Sequence, residues 1–155
     1  MDILERRIDE RLNQIFKFKR KGEWYREGVC PKCSQKEAYT HAITPKVVKC
    51  GRINKCSYEE HIKDICEDLF KDWSEDFPKT EKNPNASADA YMQHARGFDI
   101  APLKGRYTQE LYRDYRNQSL VTATVRFELA RGIYWERFID RPERFGRMKA
   151  NFIGE

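Results

Sequence analysis

Four of the chain's five cysteines fall in one stretch, "GVCPKCSQKEAYTHAITPKVVKCGRINKC", from Gly28 to Cys56. Cys30 and Cys33 form a C-x2-C pair with Pro31 setting the turn, and Cys50 and Cys56 form a C-x5-C pair on a loop that contains Gly51. Thiolates at C-x2-C spacing can share one tetrahedral ion, because the turn between them aims both sulfurs the same way. Sixteen residues separate the pairs, room for a two-strand excursion. The pattern predicts one structural zinc ion on Cys30, Cys33, Cys50 and Cys56. Four thiolates leave no open position for water or substrate, so such an ion is a scaffold rather than a catalyst. The plainer alternative is that these are small buried residues. His61, a C-x4-H step from Cys56, is a reserve ligand, and Cys66 lies on an apolar stripe where core packing accounts for it.

The cysteines sit among Lys32, Lys36, Lys46, Lys49, Arg52 and Lys55, interleaved with Trp24, Tyr25, Tyr39 and His41. From Ile15 to Cys56 there are 11 Lys/Arg against 3 Asp/Glu. The balance reverses to 4 against 10 from Ser57 to Ala95, and returns to 12 against 8 from Arg96 onward. Cations neutralise phosphates and aromatic faces stack on unpaired bases, a combination suited to single-stranded nucleic acid. The expected contacts are Arg52, Lys55, Lys46, Lys49, His41, Tyr39 and Trp24, with Arg96, Arg106, Arg126 and Lys149 as further candidates toward the C-terminus. A solvated surface beside a metal site is the competing explanation. His41 is open to two readings, an exposed strand residue or a base contact.

Several elements must position these groups. "MDILERRIDERLNQIF" sets Leu4, Ile8, Leu12, Ile15 and Phe16 on one helical stripe. Between the cysteine pairs, "EAYTHAIT" and "KVVKC" read as a small antiparallel ribbon. "SYEEHIKDICEDLFKDW" reads as a helix capped by Ser57, with Glu60 completing the box and an acidic exterior. "SEDFPKTEKNPNASAD" carries Pro78 and Pro84 and reads as a linker. Beyond it, "SADAYMQHARGFD" predicts a short helix ended by Gly97. "SLVTATVRFELARGIYWERFI" predicts a hairpin with Val121, Ala123, Val125 and Phe127 on one face.

The resulting expectation is an α+β chain. A zinc-ribbon domain with N- and C-terminal helices spans 1–74, a linker 75–86, and a small α+β piece containing an antiparallel hairpin 87–155. A chain of 155 residues with 39% hydrophobic content fits two small units better than one large core. No apolar run approaches bilayer length and no leader pattern opens the chain, so a cytoplasmic protein without a membrane partner is expected. In a reducing compartment, paired cysteines serve as metal ligands more often than as disulfides.

The runs "GEWYREGVCPKC", "KCGRINKCSYEEHIKDI", "ADAYMQHARGFD" and "TATVRFELARGIYWERFID" together resemble the N-terminal part of TOPRIM-type DNA primases. They are most similar to those of proteobacterial conjugative plasmids, integrative elements and phages. The resemblance covers nearly the whole chain, and its most specific parts are "CGRINKC" with the segment after it and the "YMQHARGFD" step. It implies a zinc-binding domain, a flexible linker, and an RNA-polymerase core made of a basic N-terminal subdomain and the TOPRIM fold, with a helicase often following. Cys30, Cys33, Cys50 and Cys56 match the ligand positions, and the segment from about Ser87 matches the start of the basic subdomain. The implied partners are a single-stranded DNA template, the primer RNA–DNA hybrid and a replicative helicase. TOPRIM catalysis holds magnesium on a glutamate and a later Asp-x-Asp motif, and neither motif is present before Glu155. Glu128, Glu136 and Asp140 are scattered along the hairpin and read as a solvated sheet face. The chain by itself is therefore not expected to act as a nucleotidyltransferase.

Two rival functions remain at this level. One is a zinc-ribbon DNA-binding module of a replication or transcription factor without a role in priming. The other is a protein-interaction module that docks a partner through the acidic segment from Ser57 to Trp73.

Overall fold

The computed structural model describes residues 1–154 and is α+β, with two antiparallel sheets. The chain divides into two units, Met1–Leu69 and Phe70–Glu155.

The first unit opens with α1 (Ile3–Phe16), held at its start by a reciprocal capping box between Asp2 and Glu5. Its stripe of Leu4, Ile8, Leu12 and Phe16 is buried, whereas Ile15 is 43% exposed at the stripe's edge. Five strands follow as a meander: β1 (Lys19–Lys21), β2 (Trp24–Gly28), β3 (Ala38–His41), β4 (Val47–Cys50) and β5 (Glu59–His61). Side chains alternate across a strand, so Tyr25, Thr40 and Val48 fill the closed face while Trp24, Tyr39, His41 and Lys49 stand on the open one. The Tyr25 hydroxyl donates to Asp9 on α1 at 2.5 Å, and Phe18 stacks between Phe16 and Tyr25 at 5.1 and 5.5 Å. Gly28 is required here, because a Cβ at that position would lie 2.4 Å from the Phe18 ring.

The helix expected from Ser57 to Trp73 does not form as one element. Ser57 takes a left-handed φ of 55° and turns its hydroxyl back onto the Cys56 carbonyl, so it caps nothing. The next residues complete the sheet instead: β5 pairs with β4 in the register Val47↔His61, Val48↔Glu60 and Lys49↔Glu59. The helical period survives only as α2 (Ile62–Ile65) and a 3-10 turn over Glu67–Phe70. The Cys50 amide donates to the Tyr58 carbonyl at 2.9 Å, which brings the chain back alongside β4, where its open edge pairs with β5.

In the second unit, α3 (Trp73–Asp76) and α4 (Ala86–Ala90) precede a π-helical turn at Tyr91–Ala95. Gly97, with φ 73°, ends this helical run, as its sequence predicts. The sheet contains β6 (Thr108–Arg113), β7 (Val121–Ala130), β8 (Ile133–Phe138) and β9 (Ala150–Ile153) in that order. The predicted β7–β8 hairpin is its centre, with Gly132 at φ 76° in the turn. Gln109 Oε1 accepts from the Ser87 and Ala88 amides, and Asn85 Oδ1 accepts from the Gln109 amide, which pins α4 to β6. On the opposite face Tyr112, Phe138 and Phe145 cluster, with ring centroids 4.4 and 4.9 Å apart at the Phe138 contacts.

The division between units falls at Leu69 and Phe70, ahead of the 75–86 stretch. Trp73 is 2% exposed and packs edge-on against Tyr91 at 5.6 Å, while Phe77 stacks on His94. Aromatic residues that find partners in this way hold the polar segment's start against the second unit.

Candidate metal centre and basic-aromatic surface

Cys30 and Cys33 leave the end of β2 on a tight turn, closed by the Ser34 amide donating to the Cys30 carbonyl. Cys50 ends β4, and Cys56 closes a loop in which the Arg52 carbonyl accepts from the Lys55, Cys56 and Ser57 amides. The four sulfurs all lie within 4.8 Å of one another. Cys30 and Cys56 sulfurs are 3.6 Å apart, and those of Cys33 and Cys50 are 3.8 Å apart. A disulfide needs about 2.05 Å, so these are free thiols. A tetrahedron with metal–sulfur bonds of about 2.3 Å has edges of about 3.8 Å. The spacing therefore fits one tetrahedral metal ion.

The surroundings of the thiols differ. The Gln35 amide pulls the Cys33 thiol down to about 7, whereas burial pushes Cys50 up to about 12 and raises Cys56. A cation bound between them would supply the charge that lets all four ionise together. The Lys32 ammonium donates to the Cys56 carbonyl at 2.9 Å, placing a positive charge beside the cluster. His61 is not part of the cysteine cluster: it stands exposed on β5, opposite Val47. Cys66 is fully buried in the core, away from the four.

The open face of the same sheet carries the second feature. Trp24 and His41 are cross-strand partners and meet edge-on at 5.2 Å, and Trp24 lies 6.2 Å from Tyr39. Arg26, two residues along β2, sits 5.4 Å from the Trp24 centroid and 5.5 Å from that of Tyr39. Such contacts hold a guanidinium flat against the aromatic surface. His41 Nδ1 accepts from the Thr44 amide at 3.0 Å, so in the neutral ring the proton is on Nε2. Lys49 continues the face beyond Tyr39, 3.9 Å from Glu59. On the other side Lys19 and Lys21 of β1 are shared with Glu27, at 3.7 and 2.7 Å.

Of the residues expected to touch nucleic acid, the fold brings Trp24, Tyr39, His41 and Lys49 onto this one face. Arg52 and Lys55 lie on the loop beside the metal centre, and Lys46 is exposed just before β4. Arg26 was not apparent from composition. Its signal is the period-2 alternation Trp24–Tyr25–Arg26, which places it beside Trp24 once Tyr25 is known to be buried.

In the second unit Arg96 and Arg106 are exposed, and Lys149 is exposed just before β9. Arg126 is engaged: its guanidinium bonds Glu136 Oε2 at 2.9 and 3.1 Å and covers the Tyr134 ring at 3.8 Å. The carboxylates expected on a solvated sheet face are not all solvated. Glu128 is exposed, but Glu136 is 1% exposed and Asp140 8%. Burial pushes the Glu136 carboxyl up, against the pull of Arg126. Asp140 accepts from the Ser74 amide and hydroxyl and from the Ala123 amide, at 2.5 to 3.0 Å. These three donors compensate Asp140, whereas Glu136 is met by Arg126 at Oε2 alone and its Oε1 is buried without a hydrogen-bond partner among the described residues.

Comparison with family models, with curated proteins and with solved structures returns no match. Among the described residues, no helix is long and apolar enough to cross a membrane.

Proposed function

We propose that the first unit is a zinc-ribbon module that binds single-stranded DNA template for primer synthesis by a DNA primase. The observation that carries the reading is the open sheet face, where Trp24, Arg26, Tyr39 and His41 form one continuous aromatic-cationic surface on a sheet anchored by a four-cysteine site. Zinc is the ion proposed, since a buried all-thiolate tetrahedron suits it and requires no redox chemistry. It would be held by Cys30, Cys33, Cys50 and Cys56, and it would supply folding energy and rigidity.

The chain's own residues divide the remaining work. Trp24 and Tyr39 would offer unpaired bases the ring surface that Arg26 does not cover, while Arg26 lies over those rings and His41 stands edge-on to Trp24, both carrying donors. Lys49 on the sheet, with Lys46, Arg52 and Lys55 on the adjoining loops, would neutralise phosphates, giving affinity that falls with salt. The second unit, by the same resemblance, begins the basic part of a primase core. Magnesium-dependent nucleotidyl transfer is assigned to a TOPRIM part outside this sequence, as is any contact with a replicative helicase or with the primer hybrid.

Fluorescence-anisotropy titration of the zinc-loaded chain with short single strands and matched duplexes, at two salt concentrations, tests the reading. Salt-sensitive preference for single strands is the expected result. Equal binding to duplexes would remove the role of the stacking face. No binding even at low salt would turn attention to the acidic segment from Ser57 to Trp73 and a protein partner.

A further inference from the structure

A hollow in the second unit combines features that neither the metal centre nor the first sheet accounts for. Its floor is four side chains on one face of the central hairpin, where Val125 pairs with Arg137 and Phe127 pairs with Trp135. Its wall is the π-helical turn that starts at Tyr91 and the reversal that follows it. The Arg96 amide reaches back five residues to the Tyr91 carbonyl, and Gly97 at φ 73° then lets the Phe98 amide bond the Met92 carbonyl at 3.0 Å. This turn sets Arg96 and Phe98 at the mouth, and Phe98 stays 48% exposed. Interruptions of α-helix by π turns recur at functional sites.

The lining is aromatic and cationic apart from Met92 and Val125, and it holds no carboxylate. Among the described residues, neither the Arg96 nor the Arg137 guanidinium has a hydrogen bond or ion pair, and Arg137 Nε is buried with no acceptor. The contrast with the other face of the hairpin is direct, since Arg126 there is fully occupied by Glu136 and Tyr134. A buried donor without a partner is costly, so an acceptor brought by a ligand would be favoured at Arg137. Trp135 and Phe127 lie 5.7 Å apart and provide an apolar surface beside it.

Size narrows the occupant. The cavity holds about 150 Å³, whereas sites that enclose whole drug-sized molecules span ~300–1,000 Å³. One planar ring system fits inside, and whatever is attached to it must lie at the mouth, where Arg96 stands. We propose that this hollow takes a single unstacked nucleobase, with the adjoining phosphate held by Arg96 and Arg137. The choice of a nucleotide over other aromatic anions rests on the nucleic-acid reading above. The same chemistry is presented by a free nucleotide and by one nucleotide of a single strand.

The test follows the Trp135 indole N–H resonance of the full zinc-loaded chain, assigned with Trp135→Phe. Titrants are AMP, adenosine, inorganic phosphate, a phosphotyrosine peptide and a short single-stranded oligonucleotide. AMP or the oligonucleotide should shift this resonance, and Arg96→Ala and Phe98→Ala, both at exposed positions, should each weaken the response by at least about tenfold. A response to AMP alone identifies a free nucleotide as the source, and a response to the oligonucleotide alone identifies a strand. Inorganic phosphate or the phosphotyrosine peptide matching AMP would overturn the proposal, as would a resonance unmoved by any titrant. Trp24→Ala separates the two readings. It should weaken strand binding by the first unit and leave the AMP response at Trp135 unchanged.

Discussion

Trp24 and His41 are cross-strand partners whose rings meet edge-on at 5.2 Å on the open face of the first sheet. This pairing places an indole with 39% of its surface exposed beside a ring whose Nδ1 is already committed to the Thr44 amide. Nothing on the closed side of the sheet calls for these residues. Tyr25 and Thr40, their neighbours in sequence, supply the packing there. The open face is therefore available for a ligand without cost to the fold, and Arg26 is the residue that links its two large rings.

Replacing Cys33 or Cys50 with serine should dissolve the order of the first unit. Structural zinc sites contribute about 10–16 kcal/mol of apparent binding free energy in small domains, far more than five short strands and two helices, one of them a single turn, can replace. The expected result is loss of bound metal together with loss of cooperative melting for Met1–Leu69. A variant that kept full metal stoichiometry and stability would exclude that cysteine as a ligand.

Gly28→Ala should destabilise the first unit by about 1–3 kcal/mol, the cost of overpacking a filled core. The new methyl would meet the Phe18 ring at 2.4 Å and the Ala38 carbonyl at 3.2 Å. Phe18→Leu in the same chain should recover part of the loss, because it removes the ring that clashes. Chemical denaturation of the single and double variants measures both.

Asp140→Ala should cost about 2–3 kcal/mol or more, since it removes a charged acceptor from three donors at once. The Ser74 amide and hydroxyl and the Ala123 amide would all lose their partner. Ser74→Ala removes only one of these bonds and should cost about 1 kcal/mol. Thermal melts of the two variants should keep that order.

Glu136 predicts a pH effect of defined sign. Its carboxyl is raised on folding by burial, so the folded chain holds this proton more tightly than the unfolded chain does. Its contribution to stability is complete below the unfolded value and is lost as pH rises through the folded one. Glu136→Gln keeps an acceptor for Arg126 and removes the titration. It should therefore be relatively more stable than the parent at neutral pH, with the difference shrinking as pH falls toward the carboxylate range. A difference that grew on acidification would mean that the Arg126 pair outweighs burial.

The parts of this molecule that could be read from sequence are those in which one residue type carries its own geometry. The C-x2-C turn identifies Cys30 and Cys33 without knowledge of the fold, and Gly97 and Gly132 mark their turns because a left-handed backbone favours glycine. The β7–β8 hairpin was legible from its alternation. In contrast, β1 and β5 read "KRK" and "EEH", with no apolar alternation to announce them, and become strands only because neighbouring edges capture them. Ser57 with Glu60 matches a capping box, yet the left-handed backbone at Ser57 and the pairing of Glu59–His61 with β4 override it. The cationic-aromatic face was partly legible for a similar reason: composition locates Trp24, Tyr39 and His41, but only register brings Arg26 between them.

The proposed binding of single-stranded DNA to the open face of the first sheet is checked by amide and side-chain NMR shifts during titration with a short single strand. Shifts should concentrate at Trp24, Arg26, Tyr39, His41 and Lys49, with Val48 and Thr40 on the closed face nearly unmoved. Trp24→Ala should weaken binding by about 1–3 kcal/mol. Shifts confined to Arg52 and Lys55, or binding unchanged in Trp24→Ala, would contradict it.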